Sequence, residues 1–323
     1  MISRIKALFH PEQYHGWTKK KNYFEGWYFK LISKDEKYAF AIIPGIAMAE
    51  NTSHAFIQVL DGKKRKSAYH KFKAESFLPK GGKFEINIAE NFFSKTQLKV
   101  KLKDFEADLK FVEQVPWPSS VLSPNIMGPF SFIPFMECNH GILSMNHTIE
   151  GSIKHEGKDI DFSGGRGYME KDWGRSFPSA YIWMQSNHFS ESNISIKSSI
   201  AKIPWLGSSF VGFIAGVYLK DRIIQFTTYN LSRLKKAHVN DNEVNVILEN
   251  PKHRLTIKAI RKESTELASP IMGFMDGRIE ESMEAELHVK LVHKKSGEVL
   301  LDDIGRNAGL EIAGNIKEIV KNN

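Results

Sequence analysis

The chain has 323 residues, enough for one large domain or two. Lys and Arg total 45 against 37 Asp and Glu, a formal charge of +8 spread along the chain, with one short run at Lys63-Lys64-Arg65-Lys66. No basic stripe accompanies a nucleic-acid motif, so nucleic-acid binding is excluded, while weak peripheral attraction to an anionic membrane surface is allowed. The single cysteine, Cys138, rules out an intramolecular disulfide and fits a reducing, cytoplasmic setting. No run of about 18 apolar residues predicts a membrane span.

At the start, Ile2, Ile5, Leu8 and Phe9 fall on one helical face beside Arg4 and Lys6. This predicts a docking helix or frayed end, with a membrane-surface anchor as the alternative. Residues 10–22 are a polar lead-in. From Tyr23 the apolar positions recur with period two, the mark of half-buried strands. Phe84, Ile86 and Ile88 alternate with Glu85 and Asn87; Leu98, Val100 and Leu102 alternate with lysines. Asp61-Gly62 and Gly81-Gly82 read as hairpin connectors. Many short strands without helices between them predict an antiparallel sheet, sandwich or barrel.

Residues 115–136 break the pattern with five prolines, Pro116, Pro118, Pro124, Pro129 and Pro134, yet include Trp117, Ile126, Met127, Phe130, Phe132 and Phe135. Proline gives no donor to a ladder, and a solvated linker would not be so apolar. The segment reads as a packed crossover reaching residue 138, or as a cover over a cavity mouth. It divides the chain into β-domains over 1–138 and 139–323. In the second half, strands are expected at 142–153, 194–200, 210–219, 223–229, 244–248, 255–260 and 283–292, with turns at Asp221-Arg222, Asp276-Gly277 and Ser296-Gly297. Leu310–Val320 reads as a strand and a short helix.

The stretch from Phe162 to Phe189 is unlike its surroundings. It opens on Gly164, Gly165 and Gly167, then mixes Tyr168, Trp173, Phe177, Tyr181 and Trp183 with Glu170, Asp172, Gln185 and Asn187. A buried polar group without a partner costs about 1–3 kcal/mol, so such density marks a ligand, a network or a reaction. Tyr23-Phe24-Glu25-Gly26-Trp27-Tyr28-Phe29 echoes it. Glu25 shares a strand face with Trp27 and Phe29. Burial there raises a carboxyl pKa and suits a proton donor; a structural ion pair is the plainer reading. Glu170 and Asp172 are close enough to push their pKa values apart, or to brace a loop. Gln185 and Asn187 share a face with Tyr181 and Trp183, an aromatic wall with two amides that fits a phenol or quinone oxygen. His140 and His147 match no zinc spacing, so no metal site is expected. No dinucleotide, phosphate-loop or nucleophile-elbow motif is present.

These motifs resemble a known family. Phe24-Glu25-Gly26-Trp27-Tyr28-Phe29-Lys30, preceded by His10-Pro11 and Tyr14-His15, is similar to the opening of the tocopherol cyclases. Tyr168-Met169-Glu170-Lys171-Asp172-Trp173-Gly174, then Phe177-Pro178, Trp183 and Gln185-x-Asn187, resembles their central block, and Phe135-x-Glu137 through Ile142 is also similar. Asp172 stands where the plant pattern has Asn, Arg175 replaces a Gly, and Ser186 takes a position that tends to be Cys. The resemblance implies an all-β protein of two lipocalin-like antiparallel β-barrel domains. It implies acid-catalysed closure of a prenylated hydroquinone to a chromanol, without a redox cofactor or metal. On that reading Glu170 or Glu25 is the acid and Asp172 its partner. Tyr168, Trp173, Trp183 and Trp27 line the path of a tertiary cation, and Gln185 and Asn187 hold ring oxygens. The competing expectation is a non-catalytic carrier of a lipid, quinone or other hydrophobic ligand.

Overall fold

The computed structural model describes residues 7–50 and 52–320. Ile2, Arg4, Ile5 and Lys6 of the expected N-terminal helix lie outside the described residues. The chain divides into two compact units: residues 1–177 with 268–278, and residues 178–267 with 279–323.

The first unit is built on a twelve-stranded antiparallel sheet of β1 (Tyr23–Ile32), β2 (Ala39–Met48), β3 (His54–Asp61), β4 (Lys66–Lys73), β5 (Phe77–Pro79), β6 (Glu85–Ile88), β7 (Asn91–Ser94), β8 (Gln97–Leu102), β9 (Phe105–Val112), β10 (Cys138–His155), β11 (Lys158–Asp161) and β12 (Gly165–Gly174). The order is β4-β3-β2-β1-β12-β10-β9-β8-β7-β6-β5, with β11 paired to β10. The second unit is built on a ten-stranded sheet of β13 (Ala180–Ser186), β14 (Ser195–Trp205), β15 (Ser208–Leu219), β16 (Arg222–Thr227), β17 (Arg233–Val239), β18 (Glu243–Glu249), β19 (His253–Ile260), β20 (Thr265–Ile271), β21 (Phe274–His293) and β22 (Val299–Gly314), of which residues 268–278 in β20 and β21 are counted with the first unit. Its order is β16-β15-β14-β13-β22-β21-β19-β18-β17, with β20 paired to β21.

The all-β expectation holds, and three details differ from it. The sheets do not close into barrels: among the described residues no ladder joins β4 to β5, or β16 to β17. Each sheet instead rolls over one core. In the first, Trp27 stacks on Phe84 at 5.5 Å, and Phe29 lies 6.1 Å from Phe93 and 5.8 Å from Phe111 between ring centroids. These rings fill the interior that a ligand would take in a hollow lipocalin.

The division of the chain falls after Phe177, not after residue 138. The reason is pairing: β12 sits between β1 and β10, so residues 139–177 complete the first sheet. The proline-rich segment therefore joins two adjacent strands of one sheet, β9 and β10. It packs by Trp117, Ile126 and Met127, and Asn125 ties it to the Leu8 carbonyl at 2.8 Å. Asp276-Gly277 is no turn but part of β21. The chain reverses at Met272-Gly273, with φ of 51° and 81°.

One buried ion pair fastens the middle of the first sheet. Glu25 and Lys171 are fully buried and joined by a salt bridge. The register explains their meeting: Glu25 faces Trp173 and Trp27 faces Lys171 across β1 and β12. The Lys171 ammonium lies 4.7 Å from the Trp27 ring and 4.6 Å from the Trp173 ring, a cation between two π faces. It also donates to the Gln13 carbonyl and meets His15 Nδ1 at 2.8 Å. Glu25 accepts from the His15 amide at 2.9 Å and from the Tyr23 hydroxyl at 2.5 Å. Burial pushes the Glu25 carboxyl up, but the Lys171 charge and the contacts of His15 outweigh it and hold the pKa below the ordinary 4.5. Burial brings Lys171 down to about 8, against the pull of Glu25.

Removing one partner leaves a buried charge unpaired, so Glu25→Gln should destabilise the protein by about 3–5 kcal/mol. Glu25→Gln combined with Lys171→Met should recover much of that loss, because two neutral groups need no mutual screening. Denaturant unfolding of the single and double variants checks both. The wild type should also lose stability as pH falls below 4.5 through the depressed folded-state pKa of Glu25. An acid limb equally steep in Glu25→Gln would show that other carboxylates cause it.

Candidate functional site

Strand alternation sorts the motif residues. On β12, Met169, Lys171 and Trp173 face the first core, where Met169 packs and Lys171 meets Trp27. Tyr168, Glu170 and Asp172 therefore face the other way. Their partners on β1 are Lys30, Tyr28 and Gly26. On β10, His140 stands opposite Asp172 and Ile142 opposite Glu170. Tyr168, Glu170, Tyr28 and Lys30 are all buried on this second face.

The structure thus separates the two acids expected to share a cavity. Glu25 is on the core face, locked to Lys171; Glu170 and Asp172 are on the opposite face of the same sheet. With its pKa lowered and its oxygens occupied by Lys171, His15 and Tyr23, Glu25 is held in a structural ion pair. Trp27 and Trp173 face a cation, but it is the chain's own ammonium. Trp173 also stacks on His15, with centroids 4.5 Å apart and planes within 6°.

What remains is a compact proton network. The Tyr168 hydroxyl donates to Glu170 Oε2. Burial, then the Glu170 charge, pushes the Tyr168 pKa well up, so the phenol stays protonated. His140 Nδ1 lies 2.8 Å from Asp172 Oδ1, and His140 Nε2 lies 3.5 Å from Glu170 Oε2. A carboxylate only accepts, so Asp172 sets the tautomer with hydrogen on Nδ1 and aims Nε2 at Glu170.

Donor atoms of His140, Glu170 and Asp172 all fall within 4.8 Å of one another. An imidazole with two carboxylates is a set that can hold a divalent ion. Histidine spacing along the sequence gave no hint of this, because the other ligands come from a neighbouring strand. His147 plays no part: it is buried beside Phe111, and burial lowers its pKa to about 3. Cys138 is 4.0 Å from Asp172, and burial raises its thiol well above the ordinary value, which keeps it protonated.

The other expected residues belong to the second unit. Ile182 and Met184 enter its core. Tyr181, Trp183 and Gln185 share the opposite face of β13. Tyr181 donates to Glu311 Oε2 at 2.8 Å. Trp183 lies on Gly309, where a Cβ would come within 2.5 Å of its ring, so only glycine fits. Gln185 is fully buried and pairs in register with the equally buried Lys197. Asn187 follows the strand and contacts His188 Nδ1 at 2.9 Å. Sequence reasoning missed His140, Lys171 and Lys197. For the first two a signal existed: each alternates in phase with motif residues on a recognisable strand.

Among the described residues, no helix is long and apolar enough to cross a membrane. Residues 104–314 match the family model described as tocopherol cyclase-like. A probable chloroplastic tocopherol cyclase of Oryza sativa subsp. japonica is 25% identical over 199 residues, 58% of this chain and 42% of that protein. The chloroplastic tocopherol cyclase of Zea mays is 26% identical over 206 residues, 58% and 41%. The chain thus matches about two fifths of the length of these relatives. Among solved structures, CghA with Sch210972 superposes with a TM-score of 0.57 at 9% identity, over 90% of this chain and 89% of that one. A protein described as an AttH candidate from Nitrosomonas europaea gives 0.54 at 12% identity, over 94% of both chains. These two establish likeness of fold. The family match over residues 104–314, which spans strands of both sheets, places this chain in the tocopherol cyclase-like family.

Proposed function

We propose that the protein catalyses acid-promoted ring closure of a prenylated hydroquinone, with the His140–Glu170–Asp172 unit moving the proton. The observation that carries this reading is the contact of His140 with both carboxylates, beside a neutral Tyr168. In this reading Glu170, in contact with His140, delivers a proton to the less substituted alkene carbon. The π pair forms the new C–H bond and leaves a tertiary cation. A phenol oxygen closes on that cation, and the phenol proton returns to the Glu170–His140 pair. Atoms and electrons balance without an oxidant or reductant. Trp183, Gln185 and Asn187, in the second unit, are proposed as ligand-binding residues on the family motif alone. A cytoplasmic location belongs to the same reading.

Glu170→Gln keeps the shape but cannot deliver a proton, so turnover should fall by about 10²–10⁴-fold. Binding, followed by tryptophan quenching, should stay within a few-fold. Turnover of a geranylgeranylated or phytylated hydroquinone is the assay, and undiminished turnover would remove Glu170 as the acid. Asp172→Asn restores the plant-like residue and should keep part of the activity while shifting the acid limb of the pH profile. His140→Phe should lower turnover as Glu170→Gln does. A wild type that binds several quinols and converts none supports the carrier reading instead.

A further inference from the structure

The hairpin of β14 and β15 runs past its own sheet. Its ladder continues in register from Ser195 and Tyr218 to Trp205 and Ser208. On one side β13 reaches only to Ala201, and on the other β16 pairs only from Ile214. Among the described residues, no ladder flanks the ribbon from Lys202 to Gly212. Two-stranded ribbons are marginal alone in water. This one carries Ile203, Pro204, Trp205, Leu206, Phe210 and Val211, a single charge at Lys202 and no acid. Trp205 and Phe210 lie edge to face at 6.0 Å, and Lys202 is tied to Glu318 at 2.8 Å.

The turn itself is Leu206-Gly207, with φ of 44° and 82°. Two left-handed residues in a two-residue hairpin call for Asn-Gly or Asp-Gly. Leucine is disfavoured there by its Cβ, and it is 77% exposed. Backbone and water both select against leucine at this point; an apolar phase selects for it. A two-residue tip offers far less than the ~800 Å² per partner of a stable protein interface. A tryptophan just behind an apolar tip is the arrangement of a membrane–water boundary. The absence of acids on the ribbon and the net charge of +8 suit anionic headgroups.

We propose that the Trp205–Leu206 hairpin tip is a wedge that enters the headgroup–acyl boundary of a lipid bilayer. The inference is independent of the chemistry assigned to Glu170. Its test is co-sedimentation of the full chain with vesicles of phosphatidylcholine, with and without phosphatidylglycerol. The wild type should partition onto both, more tightly with phosphatidylglycerol, and bromine-labelled acyl chains should quench its tryptophan fluorescence. Leu206→Asn should reduce partitioning by about tenfold, the order expected for losing one inserted leucine. The same change should leave the thermal midpoint unchanged or raised, since asparagine tolerates the positive φ. Undiminished partitioning of Leu206→Asn overturns the proposal. So does wild-type binding that salt abolishes and that needs phosphatidylglycerol, which would be charge attraction alone. No wild-type binding to either vesicle also overturns it. Concentration-dependent self-association that Leu206→Asn removes would assign the tip to a second copy of the chain.

Discussion

The Glu25–Lys171 pair is the constraint on which the first unit depends. Two opposite charges are withdrawn from water at the join between β1 and β12. Such a pair seldom adds net stability over an apolar substitute, but it penalises every arrangement that separates its members. A slip of one residue between β1 and β12 would turn every side chain to the other face and strand both charges. The tryptophans on either side of the ammonium add to this selectivity, because a cation needs their faces at one height in the sheet. Register, more than stability, is what the pair supplies.

Register in turn positions the chemistry. Residues 168–173 alternate between two roles, with Met169, Lys171 and Trp173 holding the core while Tyr168, Glu170 and Asp172 present a polar network. A functional group on a strand whose alternate residues are locked has little freedom to drift, which is the arrangement proton transfer requires. His140 is placed by the same logic from β10, opposite Asp172. Lys30, opposite Tyr168 on β1, puts a further buried lysine on this face.

Much of this was readable beforehand. Period-two alternation identified most strands, and density of acids and aromatics located β1 and β12. What could not be read was which face each motif would serve. Glu25 and Glu170 look alike in sequence, each an acid among aromatics, and only cross-strand pairing shows that Glu25 meets Lys171 on the core face. Neither neighbour in sequence, Glu170 or Asp172, marks Lys171 as buried, and the carboxylates that meet His140 lie on another strand. Turns with polar residues before glycine were found; Leu206-Gly207 and Met272-Gly273 were not, since their apolar first residues mimic strand. The proline-rich sequence reads as a separator of domains, whereas in the fold it loops out between neighbouring strands.

The strand order has a consequence for synthesis. In each sheet the last strand along the chain lies in the middle: β12 separates β1 from β10, and β22 separates β13 from β21. On the ribosome, β1 through β4 and then β5 through β11 can form as local meanders, yet they stay two ribbons with open edges until residues 165–174 emerge. The second sheet waits likewise for residues 299–314. Contacts of such long range are slow to form, and unpaired edges are open to wrong partners in the interval. The nascent chain therefore has two periods of exposure to chaperones and aggregation, each closed by the arrival of a single strand.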